Sequence, residues 1–502
     1  MKWLRNQPLF VILMGIYSLL MYVPMFFSVR LEQWLFARTF FYHGTFFLIL
    51  TILMAIAFSS QKLSQKIVSG IFDLFCSFVF LPIFLAIPFN HLIPSINFFD
   101  AYFEMLSCFT TTGASLFYVN DILPDVLHLW RSIVGWSGGL LMLIAALGIL
   151  KPAGLAGFEV YARTVDTAVL ETRIKRADIR SRMINYSFSI IPVYISLTVV
   201  MSILLIFCGD RPLVAVIHAM STFSTSGISN VNGIKGASSG IIGEVIIALF
   251  LIFAISRFMY QQDIEGRGFR RLKRDKEVNL MLICIILIPI LLFAKNWSEA
   301  IKLSGSLDIF SALAALWGGV FMVMSFLTTT GFESTQWATS QSWSGLGAPG
   351  LILMGLSVMG GGIATTAGGM KLLRVYALYK HGIREMTRLS FPNSVAGSGN
   401  KARGFRREGA YAAWIFFMLF LVSLAFIVLG LSLTGIEFED SLVLAISGLS
   451  TVGPLIYVAG DGSLDYATIS RTAKSIFCIA MLLGRFEALA VIALLNPNFW
   501  LK

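Results

Sequence analysis

Four short stretches of this 502-residue chain set hydroxyl side chains beside a glycine in otherwise apolar surroundings. They read CFTTTGAS at 108–115, TFSTSGIS at 222–229, SFLTTTGFES at 325–334 and GLSTVGPL at 448–455. Their glycines, Gly113, Gly227, Gly331 and Gly453, recur at intervals of roughly 110 residues, well beyond the spacing of solenoid repeats. Irregular backbone at membrane depth is tolerated only where protein buries it or where it lines a watery cavity. Such loops can replace the hydration shell of a cation with rings of backbone carbonyls. Glycine adopts the dihedrals that turn successive carbonyls to one side, and the hydroxyls brace the loop or add oxygen ligands. No carboxylate is needed for this chemistry. A single Ser/Thr-Gly cluster reads equally well as an ordinary turn; four in register with a hydropathy repeat do not.

A fifth cluster, MGGGIATTAGGMK at 359–371, puts five glycines into thirteen residues. Each glycine costs about 1 kcal/mol relative to alanine inside a helix. The helix is therefore expected to break there, unless the glycines serve close helix packing through small residues. Arg485 lies within the last hydrophobic helix. A charge at that depth faces a cavity or a partner, or snorkels to the interface from a helix end. Glu487 falls on a different helical face from Arg485 and is no obvious partner for it. Glu104, in the segment before the first motif, is expected either to brace the loop by hydrogen bonding or to raise the local cation concentration.

The elements that must position these groups are membrane helices. The chain is 57% hydrophobic and 13% charged, against about 25% charged in soluble proteins. Two helices are expected first, over 8–29 and 40–59. Four units then share one plan: a long apolar outer helix, a shorter segment leading into the motif, and an apolar inner helix. The outer helices are read at 68–90, 184–208, 278–294 and 411–433, and the inner ones at 130–150, 240–258, 348–380 with an interruption, and 472–495. The plausible short helices include FDAYFEMLSCF before Thr110 and AVIHAMSTF before Ser224. The negative ends of their dipoles would favour a cation.

The fold class that follows is an all-α integral membrane protein of ten transmembrane helices. Four pseudo-symmetric helix–re-entrant loop–helix repeats surround one central pore, and an N-terminal helix pair stands beside them. The expected units are 1–66 for the helix pair, then 67–183, 184–277, 278–408 and 409–502 for the four repeats, the third including the glycine-rich break.

The net charge of +11 concentrates in linkers at 151–183, 257–277 and 371–410, with Lys2, Arg5, Lys62 and Lys66 near the start. Basic residues mark cytoplasmic segments, so all three linkers and both termini are placed on that side. That holds only if each motif enters and leaves the membrane from the outside. The same distribution argues against a nucleic-acid partner. GSGNKARGFRREG at 397–409 reads as a solvated loop or a contact for a regulatory partner. The five cysteines have neither disulfide-framework nor metal-site spacing. The first apolar run is too long for a cleaved leader and lacks a small-residue cleavage site.

With TTTGAS, STVGP, GGGIATTAGGMK and MLLGRFEALAVIALLNPNFW on the page, the chain resembles the membrane subunit of Trk-type potassium transporters. That family groups with the Ktr and plant HKT proteins. The resemblance runs over essentially the whole chain, with STSGIS the loosest match, and the N-terminal pair favours Trk over Ktr. It implies one potassium filter built from four non-identical loops. Its ligands would be carbonyls of Thr111 and Thr112, Thr225 and Ser226, Thr329 and Thr330, and Thr451 and Val452, each pair preceding a filter glycine. Val452 departs from the hydroxyl pattern. A serine in place of the first filter glycine goes with sodium conduction in some relatives; Gly113 is present here.

The resemblance also implies a gate formed by an intramembrane loop below the filter, with Gly360, Gly361, Gly362, Thr365, Thr366, Gly368 and Gly369, and by Arg485 in the ion path. Further implications are a homodimer in a bacterial inner membrane, a peripheral cytoplasmic nucleotide-binding (TrkA-like) regulatory subunit, potassium as the transported ligand and no covalent cofactor. The chain itself carries no phosphate-loop or dinucleotide motif. Other readings fit less well. A membrane enzyme would need titratable residues clustered at one depth, and a voltage-gated channel a helix with regularly spaced arginines. Symport of potassium with protons or sodium is compatible with the motifs, while the four filter glycines favour potassium over sodium permeation.

Overall fold

The computed structural model describes residues 7–59, 67–117, 123–153, 179–254, 276–304, 309–346, 348–391, 407–460 and 464–486. Most of the three basic linkers, Glu487 and the C-terminal run after Phe486 lie outside the described residues. Among the described residues every regular element is helical. The N-terminal pair is Leu9–Leu20, continued after Met21 by Tyr22–Arg30, and Trp34–Phe58. The break at Met21 precedes Pro24, which has no N–H to give to the preceding turn.

The repeat plan is present four times. Outer helices Ile67–Leu92, Ile179–Phe207, Lys276–Ser304 and Arg407–Ser432 each precede a second helix: Phe98–Phe109, Pro212–Ser224, Ile309–Leu327 and Phe438–Leu449. The motif follows, and then the inner helix. The first inner helix is Asp125–Ala145, running on through a π-helical turn at Ala146–Leu150. The second is Gly240–Leu251, the third is split into Gly350–Met359 and Leu372–Ser390, and the fourth is Arg471–Phe486 within the described residues.

Burial separates the layers. In the first inner helix 83% of the most apolar window is buried, whereas in the fourth outer helix only 22% is. Ile283, Ile286, Leu287 and Ile290 on the third outer helix and Val422, Phe426 and Leu429 on the fourth are exposed apolar side chains. Lipid is the solvent in which such a face is stable, since it needs only backbone bonds closed within each helix. Pro82, Pro88, Pro192 and Pro289 sit inside the outer helices of the first three repeats.

Seven described helices are long and apolar enough to cross a membrane. One of them, Phe310–Leu327, is the third motif-bearing helix. Sequence reading expected a shorter segment there. Its mainly apolar run, LAALWGGVFMVMSFL, lets it extend to 19 residues, and an additional helix, Trp337–Ser344, follows the loop. The interruption expected within 348–380 falls at Gly360 and closes at Lys371.

Candidate functional site

Aligned on their structure, the four motifs are longer than their sequences first suggest. Residues 107–113, 221–227, 325–331 and 447–453 share the order Ser, two residues, Thr or Ser, Thr, one residue, Gly. Each ends its helix in the same way. The amide of the sixth residue donates to the carbonyl of the first: Thr112 to Ser107 at 2.9 Å, Ser226 to Ser221 at 3.0 Å, Thr330 to Ser325 at 2.9 Å, Val452 to Ser447 at 2.9 Å. The fifth residue is left-handed in all four, Thr111 at φ 57°, Thr225 at 52°, Thr329 at 58° and Thr451 at 53°. This is the hydrogen-bond pattern of a Schellman helix end, which normally puts glycine at the left-handed position. A β-branched residue there is an outlier, and such strain persists only where surrounding structure over-determines it. Four identical outliers in register are the structural signature of the repeat. The shared leading serine is not apparent from the quoted stretches: only Ser325 falls within one, and Ser107, Ser221 and Ser447 lie one residue upstream of theirs.

The glycines do a different job. A Cβ on Gly113 would lie 1.8 Å from the Ser226 carbonyl oxygen, and one on Gly227 would lie 2.4 Å from that of Thr330. Gly331 faces Val452 and Pro454, and Gly453 faces Gly113 and Ala114. The loops therefore abut in chain order, first to second to third to fourth and back to the first. The Gly453 amide closes the ring by donating to the Thr112 carbonyl at 2.6 Å. All twelve sequence-predicted filter residues stand in this ring, buried to 1% exposure or less where they are hydroxyl-bearing.

The fourth loop differs in detail. In the other three, the hydroxyl of the fourth motif residue pairs with that of the sixth: Thr110 with Thr112 at 2.8 Å, Ser224 with Ser226 at 3.0 Å, Thr328 with Thr330 at 3.0 Å. Val452 has no hydroxyl, and Ser450 Oγ has no hydrogen-bond partner among the described residues. Instead, Ser447 Oγ donates to the Val452 carbonyl at 2.9 Å, and the Tyr466 hydroxyl donates to the Gly453 carbonyl at 2.9 Å.

Above the ring, buried carboxylates hold the strands that follow the glycines. Glu104 accepts from the Leu116 amide at 2.9 Å and pairs with Arg131 at 2.6 Å, while Arg131 donates to Ser115 Oγ at 2.7 Å. Of the two roles open to Glu104 from sequence, the structure supports bracing. Glu244, from the second inner helix, reaches into the third repeat, accepting from Trp317 Nε1 and Ser334 Oγ at 2.9 Å each and from the Thr335 amide. Lys474 joins the fourth inner helix to Asp100 of the first repeat at 2.7 Å. Replacing Glu104 with alanine leaves Arg131 buried without its counter-charge, so a loss of about 3–5 kcal/mol in stability is expected. Thermal unfolding of the detergent-solubilised protein measures it. Adding Arg131→Met should restore most of the loss; no recovery would show that the pair is not the cause.

Below the ring, 360–371 forms a loop with a closed neck. The Met370 amide donates to Val358 at 2.8 Å and the Leu372 amide to Gly361 at 3.1 Å. Gly360 (φ 64°) and Gly369 (φ 65°) make the sharp reversals that the glycine cluster foretold. The loop touches three of the four motifs. Thr366 Oγ1 donates to the Phe223 carbonyl at 3.2 Å, the Gly368 amide donates to Thr329 Oγ1 at 2.8 Å, and a Cβ on Gly368 would meet Thr451 Oγ1 at 2.1 Å. Glu277 accepts from the Ile363 amide at 3.0 Å, anchoring the loop to the third outer helix. Lys371 Nζ donates to the Ala367 carbonyl.

Arg485 Nη1 donates to the Thr366 carbonyl at 2.6 Å, and the side chain is 5% exposed. Its Nε and Nη2 have no hydrogen-bond partner among the described residues. It is therefore buried rather than snorkelling. The two sides of the ring differ in open space. A cavity of about 370 Å³ reaches Gly113 and Gly227 from above, lined by Asp125, Arg131, Arg211 and Asn230 among others. Beneath, a pocket of about 20 Å³ lies between the π-helical turn, the loop and Arg485, room for about one water. Among the described residues no cluster of three or more His, Cys, Asp or Glu could hold a metal ion.

Residues 278–500 match the model of a family described as TrkH, cation transport protein. The Trk system potassium uptake protein TrkH of Salmonella typhimurium is 28% identical over 412 residues, covering 81% of this chain and 80% of the relative. TrkI of Halomonas elongata is 28% identical over 437 residues, 84% of this chain and 82% of the relative. The crystal structure of the potassium transporter TrkH from Vibrio parahaemolyticus superposes with a TM-score of 0.79 at 22% identity, over 100% of both chains.

Proposed function

We infer that this chain, a Trk-type potassium transporter by its sequence and structural likeness, takes up potassium through the ring of four loops. The observation that carries the reading is the closed ring itself: four identical helix ends in register, joined from Gly453 back to Thr112. A potassium ion on its axis would be held by carbonyls of Thr111 and Thr112, Thr225 and Ser226, Thr329 and Thr330, and Thr451 and Val452. Four helices ending at the ring add the negative ends of their dipoles. Size and field strength of the carbonyl cage then separate potassium from sodium.

The loop at 360–369 and Arg485 form the gate in this reading, and the state described is the closed one. Support comes from the loop's contacts with three motifs and from the small space below it. Ten spans, the four repeat boundaries, cytoplasmic termini, an inner-membrane location, a homodimer and a nucleotide-binding cytoplasmic subunit complete the proposal. Symport with protons or sodium is the second reading. Passive flux is favoured because the buried carboxylates Glu104 and Glu244 are engaged in bracing the loops.

Uptake of radioactive rubidium into liposomes containing the purified chain tests the function. Block by potassium but not by sodium, without any imposed gradient, is the expected result. Equal block by sodium would overturn the filter assignment, and uptake only under a proton or sodium gradient would establish coupling. Deleting 363–367 is expected to raise basal uptake on the order of tenfold, since the anchors at Ile363, Thr366 and Ala367 are lost and a hydrogen bond to a charged group is worth about 1.5–3 kcal/mol. Uptake no faster than wild type would remove the loop from the gate.

A further inference from the structure

The four leading serines occupy equivalent places but do unequal work. Ser107 and Ser325 have side-chain oxygens without partners among the described residues, and Ser221 Oγ accepts from Ser226 Oγ at 3.2 Å. Ser447 alone among them donates to a carbonyl of its own motif, that of Val452. It does so beside a second hydroxyl, Tyr466, at 2.8 Å. Each hydroxyl has one proton. Ser447 directs its proton to Val452, and the Tyr466 proton is left to serve the Gly453 carbonyl and Ser447 Oγ together.

Tyr466 is fully buried and its ring is fixed from two sides. Its centroid lies 5.2 Å from that of Phe477 and 6.0 Å from that of Phe103. The hydroxyl pair is therefore a rigid support behind the fourth loop, in the one repeat whose motif lacks a hydroxyl at its sixth residue. Where the other loops tie side chain to side chain, the fourth ties a side chain to the carbonyl oxygens themselves.

We propose that Ser447 and Tyr466 are positioning residues that set the ion selectivity of the fourth side of the filter, through the Val452 and Gly453 carbonyls. This rests on the filter reading above. A carbonyl that already accepts a hydrogen bond offers a weaker field to an ion and is less free to swing. Selectivity depends on the number and field strength of the coordinating carbonyls. Releasing the Val452 oxygen strengthens the field and loosens the cage, and both changes favour the smaller sodium ion relative to potassium.

The test is rubidium uptake by liposomes containing the full chain, with sodium and potassium titrated as competitors for wild type, Ser447→Ala and Tyr466→Phe. The readout is the ratio of the two half-blocking concentrations, which is independent of how much protein folds. A net hydrogen bond of about 1 kcal/mol corresponds to a shift of about fivefold towards sodium for Ser447→Ala. A smaller shift in the same direction is expected for Tyr466→Phe, which keeps the packed ring. An unchanged ratio in both variants, or a shift towards potassium, overturns the proposal while leaving the filter reading intact. Wild-type uptake that sodium blocks as well as potassium overturns the filter reading and this inference with it.

Discussion

Rubidium uptake should rise on the order of 100-fold when Arg485 is replaced with alanine. The guanidinium is buried, donates to Thr366 in the loop beneath the ring, and has no carboxylate partner among the described residues. The buried cations above the ring are compensated: Arg131 by Glu104 and Lys474 by Asp100. A potassium ion passing about 6 Å from an uncompensated charge meets a barrier of about 3 kcal/mol at an effective dielectric of about 20. At 1.4 kcal/mol per factor of ten, that is the predicted gain. Arg485→Lys keeps the charge and should stay near the wild-type rate. If the alanine variant is no faster than wild type, the barrier lies elsewhere; if lysine is as fast as alanine, the hydrogen bond to Thr366 matters and the charge does not.

Gly113→Ser should abolish potassium selectivity while leaving a folded protein. At φ 72° an L side chain is strained, and its Cβ would start 1.8 Å from the Ser226 carbonyl oxygen. Backbone cannot yield to that contact without moving the first loop away from the second. The left-handed strain alone is of order 1–3 kcal/mol, and the displaced Ser226 carbonyl is one of the proposed ligands. The ratio of potassium to sodium block should fall at least tenfold, to near unity, the effect of about 1.4 kcal/mol lost in discrimination. A variant that folds, transports and still rejects sodium would show that the close approach of these two loops does not define the cage.

The local features of both sites were legible in the sequence because each is written in a few adjacent residues. Hydroxyls beside glycines marked the loops, and five clustered glycines marked the broken third inner helix. The alternation of long and short apolar runs was enough to order outer and inner helices. What escaped notice spans long sequence separations. Glu244 serves Ser334 and Thr335 in the next repeat, Glu277 holds Ile363, and Ser447 works with Tyr466 across the loop that precedes the last helix. No periodicity encodes such pairs. The left-handed threonines were hidden for another reason: residue preference assigns that conformation to glycine, and tertiary contacts overrule it four times. The third motif-bearing helix is longer than the short segment expected from the shared plan, because its apolar run carries it to 19 residues.

Because the ring is assembled from consecutive segments of one chain, its four sides are encoded by separate codons. In a pore made of four identical subunits, one codon change alters every side at once, and intermediate compositions are reached only by mixing subunits. Here a substitution touches a single side, so under the proposed filter role ion preference would change one quarter at a time. The position three residues before each leading serine differs from side to side: Glu104, His218, Met322 and Leu444 occupy it in turn, and they make different contacts. Glu104 accepts from the Leu116 amide and pairs with Arg131, His218 hydrogen-bonds Ser229 at 2.9 Å, and Met322 sulfur accepts from the Ser334 amide at 3.3 Å. Leu444 contributes apolar packing alone. A chain of this kind has four separately adjustable sides where a homotetramer has one.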